Sequence, residues 1–487
     1  MQVKHWTGRE AAILRKAMRM SIRDFATKLG VAVRTVNTWE ARAETVSPLH
    51  DSQAILDTTL AQASEEERER FALGKREHEQ GASATGSRTP ATSVDSSHPA
   101  DVQLEATAGE FNGSPADTVR RIEEFTAGDM ATRRSVLVGL SLLAGDQLVQ
   151  RVRQWTASVP LMQVQTDRLG DDELDGLEQS VVFFRRWDSS GNGGLHRKAV
   201  VGQLNAVAEV VHEPASPATR RRLLQVVAEL AQLAGWMTYD AGAFGLAQRY
   251  YLLALDACRH AGAHDLGAKV VGDITQMSTA LGYYDDSMSL VRTAVASLPR
   301  NGSALVRSEL FGLEARACAQ LGPAEASAAR RALDACVDTF DDASALDRPD
   351  WVHYLNRAEV ECLAANAYTE LALADTRPAR AAAYAEHAEQ HVTNTIKTRE
   401  GTYLRSRILD EIRLGRIRLA QREPAEAAMI GLRAVRQAEG MKSAVVTKWL
   451  TSIARPLTMH YASVAEVTEF IDALTVYVQS AAAKEVS

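Results

Sequence analysis

The sequence predicts an all-α protein: a small helical unit at the N-terminus, a tether, and a long array of helical hairpins. Three observations carry this expectation. Apolar residues recur at the three-and-four spacing of a helix along most of the chain, with no convincing strand alternation. The breaks between these segments are short and hold glycine or proline, as in "LGYYDD", "LGPAEA" and "QREPAEA". Finally, "ALDAC" occurs at 254–258 and again at 332–336, with "TAVAS" (293–297) midway and "RAVRQA" (433–438) later. The repeat is about 40 residues, within the range of stacked helical hairpins.

The chain has 487 residues, 46% of them hydrophobic and 24% charged, with 13 prolines. At ~150 residues per domain this allows two to four folded units with a sizeable core. Its four cysteines, Cys258, Cys318, Cys336 and Cys362, form no C-x-x-C pair and fall inside helical pattern. That spacing argues against a zinc or disulfide framework and fits buried free thiols in a reducing cytoplasm. The start "MQVKHWTGREAAIL" lacks a long apolar stretch, so no export signal is read there. The longest apolar run, "VLVGLSLLAG" (136–145), is too short for a bilayer, which needs ~20 residues. It follows "TRR" (132–134), a superficial twin-arginine pattern. So deep in the chain, it is expected to form a buried helix opening the second domain.

Taken in order, residues 1–73 form the compact N-terminal unit. "REAAILRKAMRM" (9–20) has Ile13, Leu14 and Met18 on one side of a helix. Next comes "SIRDFATKLGVAVRTVNTWEAR" (21–42), two short helices broken by one turn. Ser21 and Asp24 suit a helix start, and Phe25, Ala26 and Leu29 form the apolar face. The turn falls at Gly30 and Val31, and "VRTVNTWEA" (33–41) begins a helix with Val36 and Trp39 inward. The charge run "SEEERERFALGKRE" (64–77) is expected to be a solvated final helix. Residues 74–117, rich in Gly, Ser, Thr, Pro and Ala, cannot offset their ordering entropy and read as a flexible linker. From 118 to 487 helical segments pair as 220–237 with 243–261, 265–282 with 285–298, 303–321 with 324–340, 350–373 with 377–396, 402–421 with 424–439, and 443–459 with 463–480.

Charge is unevenly shared. Residues 1–50 carry nine Lys/Arg and four Asp/Glu, a net +5 within a chain of −7, so the remainder carries −12. A basic head on an acidic body fits nucleic-acid contact through the head alone, weakened by salt.

The opening two-helix stretch resembles the helix-turn-helix of the lambda-repressor-like (XRE) family, on Ala26, Leu29, Gly30, Val31, Thr35, Val36, Trp39 and Glu40. Such a unit projects its second helix into the major groove while the first crosses the phosphates. The resemblance implies base-edge contacts from Val33, Arg34 and Thr38, with Asn37 beside them, and phosphate contacts from Arg23 and Thr35. Arg34 can pair with guanine O6 and N7, worth ~1–3 kcal/mol of discrimination. The chain departs from the family at Ile22, where many relatives carry Gln, and at Ala32, where Ser or Thr is usual.

The stretch "LAGWMTYDAGAFGLAQRYYLLALDACRHAG" (233–262) resembles a tetratricopeptide repeat on Trp236, Tyr239, Ala247, Tyr250, Tyr251, Ala254 and Leu255. Residues 176–480 then read as a tetratricopeptide-like α-solenoid with a concave binding surface. The combination resembles actinobacterial XRE regulators with C-terminal repeats and the peptide-sensing RRNPP regulators. It implies a cytoplasmic homodimer that binds double-stranded DNA at a palindromic operator and senses a peptide or small-molecule effector. No cofactor or metal is implied. Polar residues on the first helix of each hairpin are the effector candidates: Asp273, Gln276, Arg307, Glu314, Asn356, Asn366 and Arg407. Trp236 and Tyr239 are expected in the repeat core. The alternative is a protein-interaction scaffold whose head has little DNA affinity.

Other patterns are set aside. "EHAEQH" (386–391) puts His387 and His391 one turn apart without a third ligand, so a solvated helix face is expected. "GNGGLHRK" (191–198) lacks the G-x-x-x-x-G-K-[ST] phosphate loop and reads as an inter-helix turn. No catalytic motif is legible, and the chain is not expected to be an enzyme.

Overall fold

The computed structural model describes residues 6–18, 20, 22–29, scattered positions between 36 and 71, and 114–131, 142–155, 170–189, 193–211, 216–344, 348–399, 401, 403–441 and 443–486. Among these residues every regular element is helical and no strand occurs. The chain divides into two compact units, Met1–Ser96 and Ser97–Ser487.

In the first unit α1 spans Gly8–Ala17 and α2 spans Ile22–Leu29. Thr7 and Glu10 close a capping box at the start of α1, so two otherwise orphaned amide donors are satisfied. Arg15 and Lys16 sit in its last turn, where they offset the partial negative charge of the free carbonyls. The apolar faces of α1 and α2 meet Val36, Trp39, Leu56 and Leu60 in one core closed by Trp6 and Phe71. The rings of Trp6 and Phe71 lie 5.7 Å apart. Only glycine fits at position 8, because a Cβ there would stand 2.1 Å from the Trp39 carbonyl oxygen. Of the charge run at 64–77 only residues 68, 70 and 71 are described: Phe71 is fully buried, and Arg70 Nε donates to the Ala17 carbonyl at 2.8 Å.

The second unit opens with α3 (Pro115–Ala131), just before the expected boundary at 118. Ser114 and Asp117 cap it reciprocally. Three helices follow: α4 (Asp146–Trp155), α5 (Asp171–Ser189) and α6 (Gly193–Val211). The expected helix at 136–145 does not extend over Leu142–Ala144, which are not helical. There the amide side chain of Gln248 takes both backbone groups of Leu143, accepting at 2.7 Å and donating at 2.9 Å. The rest of that run, 136–141, lies outside the described residues, as do "TRR" and the linker up to 113.

Helical hairpins then succeed one another: α7 (Pro217–Asp240) with α8 (Phe244–Ala261), α9 (His264–Leu281) with α10 (Tyr284–Ser297), and α11 (Ala304–Leu321) with α12 (Ala326–Asp341). After them come α13 (Arg357–Ala374) with α14 (Pro378–Thr398), α15 (Leu404–Ala420) with α16 (Pro424–Gln437), and α17 (Ala444–His460) with α18 (Ala465–Val486). The segment expected from 350 starts instead at Arg357, where Asn356 caps α13, after a 3-10 turn at Asp350–Val352. Gly282 ends α9 at φ +89°, a left-handed conformation that lets Tyr283 N reach Ser278 O at 2.9 Å.

The first helices of the hairpins, α7, α9, α11, α13, α15 and α17, pack on one another in sequence, and α17 returns to α7. The array thus closes on itself and leaves an inner face. Repeated small residues explain the tight stacking: Ala254, Ala294, Ala332 and Ala434, all on second helices, are buried. Tyr250 and Tyr251 on α8 are fully buried, and the apolar bodies of their rings help to hold the hairpins together. No helix of the described residues is long and apolar enough to cross a membrane.

Candidate functional site

The candidate positions fall in both units. In the first, the expected DNA contacts Val33, Arg34, Thr35, Asn37 and Thr38 lie outside the described residues, as does the side chain of Arg23. Their apolar neighbours in the motif are described, and Phe25, Ala26, Leu29, Val36 and Trp39 all enter one core.

In the second unit, α5, the inner helices and the turn before α13 line a partly open cavity of about 180 Å³. Helical spacing builds its walls: Gln232 and Trp236 share a face of α7, and Lys269, Asp273 and Gln276 share a face of α9. Glu309, Tyr354, Glu359, Arg399 and Arg405 complete much of the lining, with Arg185 and Asp188 from α5.

These charges are tied to one another. Gln232 accepts from Arg185 Nη1 at 2.9 Å and donates to Asp273 at 2.7 Å. Lys269 Nζ lies 2.5 Å from Asp273 and 3.8 Å from Glu309, whose carboxylate also accepts from the Tyr354 hydroxyl at 2.6 Å. Arg399 bridges Glu359 at 3.0 Å and Asp410 at 2.5 Å. Arg405 holds Asp188 at 2.9 Å and Asp240 at 2.7 Å, and its guanidinium lies 5.6 Å from the Trp236 ring centroid. The Trp236 indole donates to Asp188 at 3.1 Å, and Ser443 at the start of α17 donates to Asp240 at 2.6 Å. Asp240 therefore joins α7, α15 and α17, which is how the array is fastened shut.

Burial raises the Glu309 and Asp240 carboxyls above their ordinary values, against the pull of Lys269 and Arg405 respectively. Burial alone would lower the Lys269 ammonium, but Asp273 and then Glu309 hold it above its usual value. Fixed donors, acceptors and an indole face at the wall of a small cavity are suited to recognising a polar ligand. The four cysteines are all buried and free. Burial pushes the Cys362 thiol up to about 12 and those of Cys318 and Cys336 to about 11, so they stay protonated and weakly nucleophilic at neutral pH.

Of the seven effector candidates, Asp273 and Gln276 line this cavity. The other five have different employment. Asn356 caps α13, accepting from Glu359 N at 3.2 Å. Asn366 is buried and accepts from Arg413 Nε at 2.9 Å. Arg307 donates to the Pro299 carbonyl at 2.7 Å, Glu314 accepts from Arg292 at 3.3 Å, and Arg407 is exposed. Trp236 packs against the core, as expected, and also lines the cavity, where its indole donates to Asp188, whereas Tyr239 is fully in the core. Sequence reasoning missed Arg185, Gln232, Lys269, Glu309 and Arg405. The available signal was a charged or amide residue recurring at helical spacing within an apolar first helix, as in "LGAKVVGDI" (266–274).

The patterns set aside resolve as well. His387 and His391 both stack on Tyr368, and His391 Nδ1 lies 2.7 Å from Glu361, so that face is packed as well as wet. Of "GNGGLHRK", residues 193–198 are already helical, and Arg197 pairs with Asp129 at 2.6 and 3.1 Å. No protein-family model matches the chain, and no curated protein matches it either.

Proposed function

We propose that this chain is a DNA-binding transcription regulator with an XRE-like helix-turn-helix head and a tetratricopeptide-like body that senses an effector. The observation that carries the reading is the head's core. The apolar positions of the motif, Ala26, Leu29, Val36 and Trp39, gather in one cluster with α1, although turn and charged positions separate them along the chain. The sequence pattern expects Arg34 and Thr38 on the side away from Val36 and Trp39, the side that a groove-reading helix presents to DNA. The net +5 of residues 1–50 supplies the phosphate attraction.

The body supports the sensing half. A closed array with a cavity of about 180 Å³ favours a small effector, or one end of a short peptide, over a long scaffolded partner. A ligand that prefers one closure of the array over another shifts the spacing of two heads in a homodimer, and so their operator affinity. The test is footprinting of the full chain on the DNA upstream of its own coding sequence. The reading expects a protected, two-fold symmetric site that Arg34→Ala shifts to higher protein concentration. Protection that ignores Arg34→Ala, or none on any DNA, overturns it.

A further inference from the structure

Beyond the cavity, the same faces of the inner helices continue into a second cluster of different charge. Arg316 follows Glu309 at a seven-residue spacing on α11, and Glu370 follows Asn366 on α13, so helical periodicity carries one stripe past the other. At its far end the guanidinium groups of Arg316, Arg413 and Arg416 lie 5.4, 5.2 and 5.2 Å from the Trp449 ring centroid. Two of the three are accounted for. Arg416 grips Glu370 with two bonds of 2.9 and 3.0 Å, and Arg413 donates to Asp410 at 2.6 Å and to Asn366 at 2.9 Å.

Arg316 is not accounted for. It is 8% exposed, and among the described residues no group accepts a hydrogen bond from it. Its Nε is sealed from solvent without an acceptor, whereas its terminal nitrogens are not sealed. The carboxylate that acts on it most, Glu370, has both oxygens occupied by Arg416. Burial accordingly pulls Arg316 below its ordinary range, and Arg416 and Arg413 add to that pull. Lys448, exposed beside Trp449 on α17, contributes a further positive charge that Arg316 repels. A buried cation whose nearest carboxylate is already taken by another guanidinium is unfavourable.

We infer that Arg316, backed by Trp449, is the receptor for an oxyanion, carboxylate or phosphate, carried by the small effector that the body senses. The inference rests on the sensing role proposed above and adds the effector's chemistry. A planar guanidinium with free terminal donors matches either oxyanion through two parallel bonds. The competing account is purely structural, with Arg316 stabilising the array by lying over Trp449. The two accounts differ in sign when the charge is removed.

The test uses the full chain and two probes, inorganic phosphate and succinate, raised through the millimolar range at constant ionic strength. Melting temperature and calorimetric binding are the readouts. The expected result is a saturable rise in wild-type Tm of several degrees with one probe, which identifies the oxyanion. Arg316→Met is expected to melt above the wild type without probe, having lost an unpaired cation, and to show no probe response. Arg316→Lys keeps the charge without the planar fork and is expected to bind at least tenfold more weakly. No response of the wild type to either probe overturns the inference. So does an Arg316→Met chain that responds like the wild type, or one that melts below it without probe. Measuring operator affinity with and without the probe separates this from the sensing role. Probe binding that leaves DNA affinity unchanged keeps the site and removes the sensing; DNA binding by a chain that ignores both probes does the reverse.

Discussion

Arg405→Met should destabilise the body strongly. The wild-type side chain holds Asp188 and Asp240, which are 7% and 4% exposed, and among the described residues no other cation forms a salt bridge with either of them. Removing it leaves two buried carboxylates with only the Trp236 indole and the Ser443 hydroxyl as donors. Breaking a buried pair in this way costs about 3–5 kcal/mol. At about 2.1 cal/mol/K per residue, the roughly 390 residues of the second unit unfold with about 0.8 kcal/mol/K, so the expected fall in Tm is about 4–6 °C. The loss depends on pH. Because burial raises the Asp240 carboxyl above its unfolded value, its favourable contribution is complete below that value and fades as pH rises through the folded one. Without Arg405 the folded value rises further, so the deficit should be larger at pH 8 than at pH 5, and Asp240→Asn should restore part of it. Scanning calorimetry at both pH values is the assay. A variant within 1 °C of the wild type at pH 8, or an equal deficit at both pH values, refutes the argument that Arg405 fastens the array through buried charge.

Three further outcomes follow from the same structure. Gly8→Ala places a methyl group against the Trp39 backbone and should lower the stability of the head by about 1–3 kcal/mol, read by its own melting transition. Phe25→Ala empties the centre of the same core and should cost about 3–5 kcal/mol while leaving the body's transition unchanged. The four buried cysteines should resist a thiol reagent at neutral pH until denaturant opens the body, and fast labelling of the native chain would contradict the packing around them.

Much of the body was legible in the sequence because its signals are local. Glycine and proline at the breaks located the helices, and "ALDAC" with its echoes located the hairpins, since Ala254, Ala294, Ala332 and Ala434 occupy equivalent tight contacts. The closure of the array was not legible. It depends on Arg405 meeting Asp188 and Asp240, residues 217 and 165 positions away, and no local pattern marks such a pair. The candidate site was legible in part for a related reason. Choosing polar residues on first helices found Asp273 and Gln276, yet the same rule chose Asn356, whose work is to cap, and Arg307, which serves a carbonyl of the preceding loop. Arg316 shows the remaining difficulty: a buried arginine is noticed only once its neighbours are known to be already paired.

The account stands most directly on one titration: fluorescence polarisation of the full chain against its own upstream DNA across a series of salt concentrations. Affinity should fall steeply and linearly on logarithmic axes as salt rises, with a preference for the upstream fragment over unrelated DNA. Arg34→Ala should weaken binding by about 5- to 150-fold, the equivalent of about 1–3 kcal/mol, and flatten that preference. Binding that is indifferent to salt and to Arg34, or equal on all fragments, would contradict the claim that the N-terminal unit reads DNA.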